Sequence, residues 1–432
     1  MISSFAPTPD GTNSRGLSAH KNESGSKGEL REAISSEASR LCFETHGESL
    51  RAVVLTGSLA RDEATLVRDK EGCRLLGDAE FLLIFHDGVA LPSKTATSVL
   101  CRTIETSVSQ QGIVAEIKFS AAYGKYLQRL RPEIFAYELR SCGRVVWGDA
   151  EILKCMPRFV ASDIALEDGW RLLSNRMIEL IMELEPLQKR PQFLPCPVVY
   201  RTIKLYLDMA TSLLLFAGEY ASTYSERACR LRALADAQPS LVPFDLRHFS
   251  DRVSECTQLK LSVVAPNRSS DSTAISEHGF SWWKEAVEYA QQLWRWELAF
   301  LTGTTGQASS QELLRRWMSG QPAFGRLRGW LYVVRDQGWH QSWKNWPRWT
   351  RLAWHASPRY WVYGVASEAI PRLICLLEGA NGTQGMDADW ERMRLHLPVV
   401  PKLAQRHEIS DWPRLAKEIC WNYEKFLTET RA

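Results

Sequence analysis

The sequence predicts an α+β protein: an N-terminal domain that mixes strands and helices, followed by a mainly α-helical C-terminal region. Three observations carry this. Between residues 50 and 150, short apolar runs rich in β-branched residues alternate with helical stretches. Beyond Cys155 the apolar residues recur at helical spacing almost throughout. The chain of 432 residues is long enough for two or three domains, and 45% hydrophobic with 24% charged is the balance of an ordinary folded protein.

Residues 1–27, rich in Ser, Gly, Asn and Lys, are expected to form a disordered tail. From Glu29 to about His46, the residues Leu30, Ile34, Ala38, Leu41 and Cys42 share one helical face. Strands are expected at 52–56, 79–85, 113–119 and 144–147, with a helix at 95–109. Ser162 or Asp163 can cap a helix running to about Leu184, and Pro197 suits the first turn of another running to about Ala217. Further helices fit 225–237, 246–261 and 281–301. The sequence GTTGQ at 303–307 reads as a boundary, so that domains of 28–155, 156–304 and 305–432 follow the tail.

Net charge and cysteines narrow the function. A formal charge of +3 gives little bulk attraction to polyanions, so nucleic-acid binding would need a local patch and is not favoured. The ten cysteines are scattered without a C-x-x-C pair, which points to reduced thiols and a cytoplasmic setting rather than zinc or disulfides. The polar N-terminus lacks the apolar core of a signal peptide. The most apolar stretch, 209–218, is too short for a transmembrane segment, which needs roughly 20 residues.

The densest chemistry lies in 53–85, VVLTGSLARDEATLVRDKEGCRLLGDAEFLLIF. Residues i and i+2 of a strand share a face, so Asp78 and Glu80 point together. Two carboxylates so close repel, and a divalent cation between them keeps both ionised. A third acid, Glu116, lies inside the apolar run IVAEIKF and shares its face with Val114 and Lys118. If the two strands are neighbours, Glu116 can bridge to a second metal or accept a proton from an attacking hydroxyl. Glu105, Glu133 and Glu138 are nearby acids less well placed on a strand. Gly57-Ser58 ends the preceding strand before a polar, helix-compatible stretch at 59–66, where glycine lets a ligand approach the backbone and exposed amides favour phosphate. Arg61 can add charge to the same phosphates.

Strand, Gly-Ser, helix, strand with Asp-x-Glu, then an acid on the next strand: this arrangement resembles the nucleotidyltransferase superfamily of DNA polymerase β, including its aminoglycoside-type and bacterial members. The resemblance covers about 50–150. It implies a polymerase β-like mixed sheet, with Gly57 and Ser58 on a nucleoside triphosphate and Asp78, Glu80 and Glu116 on two Mg²⁺ ions. It further implies transfer of a nucleoside monophosphate to a hydroxyl of a small-molecule or protein acceptor. Nineteen residues separate Ser58 from Asp78, more than the family's usual spacing, which implies an inserted loop at 69–75. Asp62 stands where glycine often follows the motif arginine, and Gly77 where serine often precedes the first acid. Two alternatives stand beside this reading: a catalytically inactive interaction protein with the same fold, and an RNA-modifying nucleotidyltransferase.

In the helical region, which such enzymes use to close over the nucleotide, Lys204 has two readings: an i,i+4 ion pair with Asp208, or a contact to the triphosphate. Tyr220 and Tyr224 can stack on a base or simply pack at a helix end. LEDGWRLLSNR, with Asn175 and Arg176, resembles an element seen after such domains. Fifteen of the seventeen tryptophans lie beyond residue 280, and 326–361 carries seven Arg/Lys against one acid, Asp336. Trp339, Trp343, Trp346 and Trp354 recur at helical spacing. Core packing is the favoured reading of this stripe, with membrane-surface contact and stacking on single-stranded nucleic acid as the others.

Overall fold

The structure is a computed structural model that describes residues 14–69, 72–182, 187, 194–264, 279–304, 308–378, 386–400 and 411–425. Two compact units divide them, one within Met1–Val160 and Lys260–Ser272, the other within Ala161–Leu259 and Thr273–Ala432.

In the first unit the order is α1 (Ser14–His46), β1 (Leu50–Thr56), α2 (Gly57–Ala60), β2 (Thr65–Asp69), β3 (Gly72–Phe85), α3 (Lys94–Gln110), β4 (Ile113–Tyr123), α4 (Gly124–Leu127), α5 (Ile134–Cys142) and β5 (Arg144–Gly148). A short β6 (Val263–Val264) joins from much later in the chain. Residues 14–27, within the stretch whose composition suggests a tail, belong to α1, and residues 1–13 lie outside the described residues.

β3 organises a mixed six-stranded sheet. Along one edge it pairs antiparallel with β2, from Thr65↔Leu76 to Asp69↔Gly72, and then with β1, up to Leu50↔Phe85. Along the other it runs parallel to β4, which α3 makes possible by carrying the chain back across the sheet. β5 lies antiparallel to β1, and β6 parallel to β2.

The expected inserted loop at 69–75 is therefore corrected. Thr65-Leu66-Val67 favour a strand, and they pair with Gly72–Leu76 as the arms of a β-hairpin; the turn residues 70–71 lie outside the described residues. β3 thus begins six residues before Asp78. Its register against β4 shifts between Arg74 and Asp78, where Gly77 has φ +113°. Such an irregularity re-aims the side chains that follow it.

Alternation along β3 divides two cores. Ala79, Phe81, Leu83 and Phe85 face Ile34 and Ala38 of α1 and Leu100, Ile104 and Val108 of α3. Leu82 and Ile84 face a smaller core with Ala136 and Leu139 of α5 and Ile152. Each such fully buried Leu, Ile or Phe contributes about 1.5–3 kcal/mol relative to exposure. Asp78 and Glu80 belong by alternation to the same face as Leu82 and Ile84.

The second unit is helical: α6 (Leu166–Ile181), α7 (Cys196–Phe216), α8 (Tyr224–Ala237), α9 (Leu246–Leu261, its last two residues assigned to the first unit), α10 (Phe280–Leu301), α11 (Ser310–Gly320), α12 (Ala323–His355), α13 (Pro358–Leu377), α14 (Met386–His396) and α15 (Asp411–Tyr423). α6 starts from Ala165, not from Ser162 or Asp163, which lie in a preceding 3-10 turn. α7 carries its proline in the first turn, as expected. Side chains from both sides of 303–307 enter one core, with Trp294 and Leu298 before it and Leu313 and Leu314 after it. Trp170 is fully buried there, its ring 5.6 Å from Trp294 and 5.8 Å from Trp317. Among the described residues no helix is long and apolar enough to cross a membrane.

Candidate functional site

Parallel pairing of β3 with β4 sets Asp78 opposite Glu116 and Glu80 opposite Lys118. The four side chains therefore rise from adjacent strands on one face. Lys118 closes the group: its Nζ lies 2.5 Å from Asp78 Oδ2 and 3.3 Å from Glu116 Oε1. Burial works to lower the Lys118 pKa, but the hydrogen bond and charge of Asp78, with the charge of Glu116, outweigh it and hold the ammonium above its usual range. The site thus already gathers a cation between two carboxylates. Lys118 had no role in the sequence reading; its signal was the i+2 spacing from Glu116 on an amphipathic strand.

Glu80 turns elsewhere. Its strand position is opposite Thr56, the last residue of β1, and its carboxylate lies against Gly57. A Cβ on Gly57 would come within 2.6 Å of Glu80 Oε2, and Gly57 has φ +71°. Glycine is required here on both counts. Gly57→Ala is expected to cost about 1–2 kcal/mol from the left-handed backbone alone and to push the Glu80 carboxylate off the turn. Thermal unfolding of the variant checks this, and an unchanged midpoint would count against the strained geometry.

The stretch after Gly57 corrects the expected helix at 59–66. α2 is a single turn, and Asp62 ends it at φ +60°. That is the left-handed region favouring glycine, which aspartate tolerates better than most residues. The Asp62 carboxylate is taken by Arg31 and, at 2.7 Å, by Arg144. Ser58 is half-buried beside Gly57, and its carbonyl accepts from the Glu63 amide at 2.9 Å. Arg61 does not project to solvent: its side chain is 6% exposed, held by Glu63 at 3.0 Å and Glu138 at 2.5 Å. Glu138 is thereby occupied, and Glu105 accepts from the Ile117 amide at 2.9 Å.

Hard carboxylate oxygens on one face suit Mg²⁺ in kind. Their grouping is partial. Among the described residues no three His, Cys, Asp or Glu side chains stand together closely enough to hold a metal ion. Asp78 and Glu116 converge on the Lys118 ammonium, so a metal would take that ammonium's place, with Glu80 approaching from the Gly57 side.

Lys204 and Tyr224 belong to the second unit. The expected Lys204–Asp208 pair does not form: Asp208 pairs with Arg176 at 2.6 Å, and the Lys204 ammonium lies 5.4 Å from the centre of the Tyr200 ring. A guanidinium presents a planar fork of donors that an ammonium cannot match, and Arg176 is also bonded to Glu179. Asn175 accepts from the Tyr363 hydroxyl at 2.7 Å, so the LEDGWRLLSNR element ties α6 to α7 and α13. Tyr224 and the buried Tyr220 flank the Arg227 guanidinium, whose centre lies 5.4 and 4.9 Å from their rings.

The tryptophan stripe divides. Trp330 and Trp349 are buried and 6.2 Å apart, and Trp282, Trp283, Trp294 and Trp390 are buried as well. Trp343 and Trp354 are 81% and 80% exposed, which overturns core packing for them; the side chain of Trp339 lies outside the described residues. No protein-family model and no curated protein matches the chain.

Proposed function

We propose that the first unit is a Mg²⁺-dependent nucleotidyltransferase of the DNA polymerase β type, moving a nucleoside monophosphate from an NTP to a hydroxyl of a small molecule or protein. The observation that carries this is the paired register of Asp78 and Glu116 around one shared cation, with Glu80 on the same face meeting the Gly57 turn. Asp78, Glu116 and Glu80 would hold Mg²⁺, which when bound neutralises charge on the phosphates and on the attacking and leaving oxygens.

The chain's own groups divide the remaining work. Gly57, without a Cβ, makes room for the Glu80 carboxylate against the turn, and Ser58 beside it would meet the phosphates. The acceptor oxygen bonds the α-phosphorus as the bond to the bridging oxygen of the β-phosphate breaks, and pyrophosphate leaves with that electron pair. Glu116, whose side chain is 62% exposed, would take the hydroxyl proton. Lys118, released from Asp78, carries a positive charge able to face the departing pyrophosphate. A net charge of only +3 favours a small or protein acceptor over a long polynucleotide.

The test is incubation with each α-labelled NTP, Mg²⁺ and a cell extract, followed by separation of what acquires label. Label is expected on one acceptor from one preferred NTP, lost when EDTA replaces Mg²⁺. If no NTP labels anything and calorimetry detects no nucleotide binding, the reading fails. Lys118 between the acids also favours a second reading, an interaction protein that binds nucleotide without turning it over; binding without labelling would select it.

A further inference from the structure

α12 is two helices, broken at Gly338 (φ 72°, ψ 160°) and folded back antiparallel. Arg326 donates to the carbonyls of Trp354 and His355 at 2.7 and 3.4 Å, which sets the start of the first arm beside the end of the second. Trp330 donates to Ala356, Trp349 to Pro398, and these rings with Val333 and Leu352 form the core of the hairpin.

Each arm is apolar a second time on its outer side. Phe324, Leu327 and Leu331, spaced i, i+3, i+7, are 78%, 58% and 68% exposed. On the other arm Trp343, Trp346 and Trp354, spaced i, i+3, i+11, are 81%, 50% and 80% exposed. Phe324, Trp343 and Trp354 are the three most exposed large apolar side chains among the described residues. Single exposed apolar residues need no explanation, but rows of them on both arms of one hairpin do.

The charged residues on the two arms are basic but for one. Arg328, Arg335, Lys344 and Arg351 are exposed and have no acidic partner among the described residues. Asp336, the single acid of the segment, lies 3.5 Å from Lys425. Arg348 and Arg326 are spent on backbone carbonyls. A partner must therefore accept Trp, Phe and Leu together and supply negative charge beside them. Stacked bases suit the tryptophans but leave three aliphatic and phenyl side chains unexplained. A bilayer interface receives all three types, and anionic headgroups answer the four cations.

We infer that the α12 hairpin is a membrane-contact surface that lays its exposed tryptophans and the apolar side chains of its first arm on the interface of an anionic lipid bilayer. The inference does not depend on the proposed transfer reaction. It places the protein peripherally, with the hairpin in the plane of the surface.

Co-sedimentation of the full chain with vesicles of phosphatidylglycerol mixed with phosphatidylcholine tests it against vesicles of phosphatidylcholine alone. Binding is expected to the anionic vesicles and to weaken with salt. Trp343→Ser with Trp354→Ser should lower it at least about tenfold, and each of Arg328→Gln, Lys344→Gln and Arg351→Gln about fivefold. Since these side chains are exposed, thermal midpoints should not move; a variant whose midpoint drops is replaced by Trp343→Tyr with Trp354→Tyr, which retain interfacial rings and should bind nearly as the parent does. Equal binding to both vesicle types, or undiminished binding by a stable Trp343→Ser, Trp354→Ser variant, overturns the inference. So does binding of oligouridylate, or self-association lost with the two tryptophans, in a chain that ignores anionic vesicles.

Discussion

Asp78→Asn is expected to lower nucleotidyl transfer about a thousandfold while leaving the thermal midpoint nearly unchanged. The fold tolerates the change because the side chain is 23% exposed and its partner, Lys118, is 53% exposed. An ion pair open to solvent contributes at most about 1 kcal/mol. The chemistry does not tolerate it. Asparagine keeps the shape and removes the charge that draws a divalent cation to β3. Lys118→Met should act in the opposite direction on the metal, because it removes the ammonium that competes for Asp78 and Glu116. The half-saturating Mg²⁺ concentration should fall in that variant even if the maximal rate also falls. Transfer by Asp78→Asn above about a tenth of the parent rate would remove Asp78 from the proposed site.

What the residues revealed in advance was local. β1, β4 and α3 were legible because apolar alternation and helical spacing are properties of short windows, and the observed elements overlie the expected ones. The shared face of Asp78 and Glu80 followed from strand geometry, and the nearness of Glu116 followed only on the condition that β4 lies beside β3, which the parallel ladder meets. The hairpin β2–β3 was missed because Gly77 interrupts the apolar run. A sequence window there sees a strand beginning at Ala79, whereas β3 runs on both sides of that glycine, pairing with β2 through Gly72–Leu76 before it and with β1 from Glu80 after it.

Long-range polar choices were harder still. Asp208 has Lys204 one helical turn away, yet its partner Arg176 comes from a different helix, and no spacing rule predicts that. Arg61 reads equally well as a ligand or as a surface charge until Glu138, far along the chain, is seen to hold it. The same limit explains the tryptophans. Helical spacing shows which of them share a stripe but not which stripe a core covers, since α12 has two apolar sides and only one of them packs. A coarse α+β architecture was therefore readable, and the partners of individual charges were not.

Glu297→Gln is expected to stabilise the helical unit at pH 8 by up to about 4–5 kcal/mol and to change little at pH 5. Glu297 on α10 is fully buried, and neither carboxylate oxygen has a hydrogen-bond partner. Burial pushes its carboxyl up from 4.5 to about 8, opposed by the neighbouring Ser212 hydroxyl of α7, which stands near without completing a hydrogen bond. The sign follows from proton counting. Between pH 4.5 and 8 the folded chain keeps a proton on Glu297 that the unfolded chain has released, so stability falls as pH rises through that window. Below it both states are protonated and the loss disappears; above about 8 the folded state must carry a buried, unpaired carboxylate. Glutamine has nearly the same shape and no charge to lose, so the variant's thermal midpoint should stay flatter from pH 5 to 8 while the parent's declines. Parallel profiles for the two proteins would mean that Glu297 is ionised in the fold, with a partner or water path that relieves it. A flat variant profile against a declining parent identifies the protonated carboxyl as the cost of burying an acid in this core.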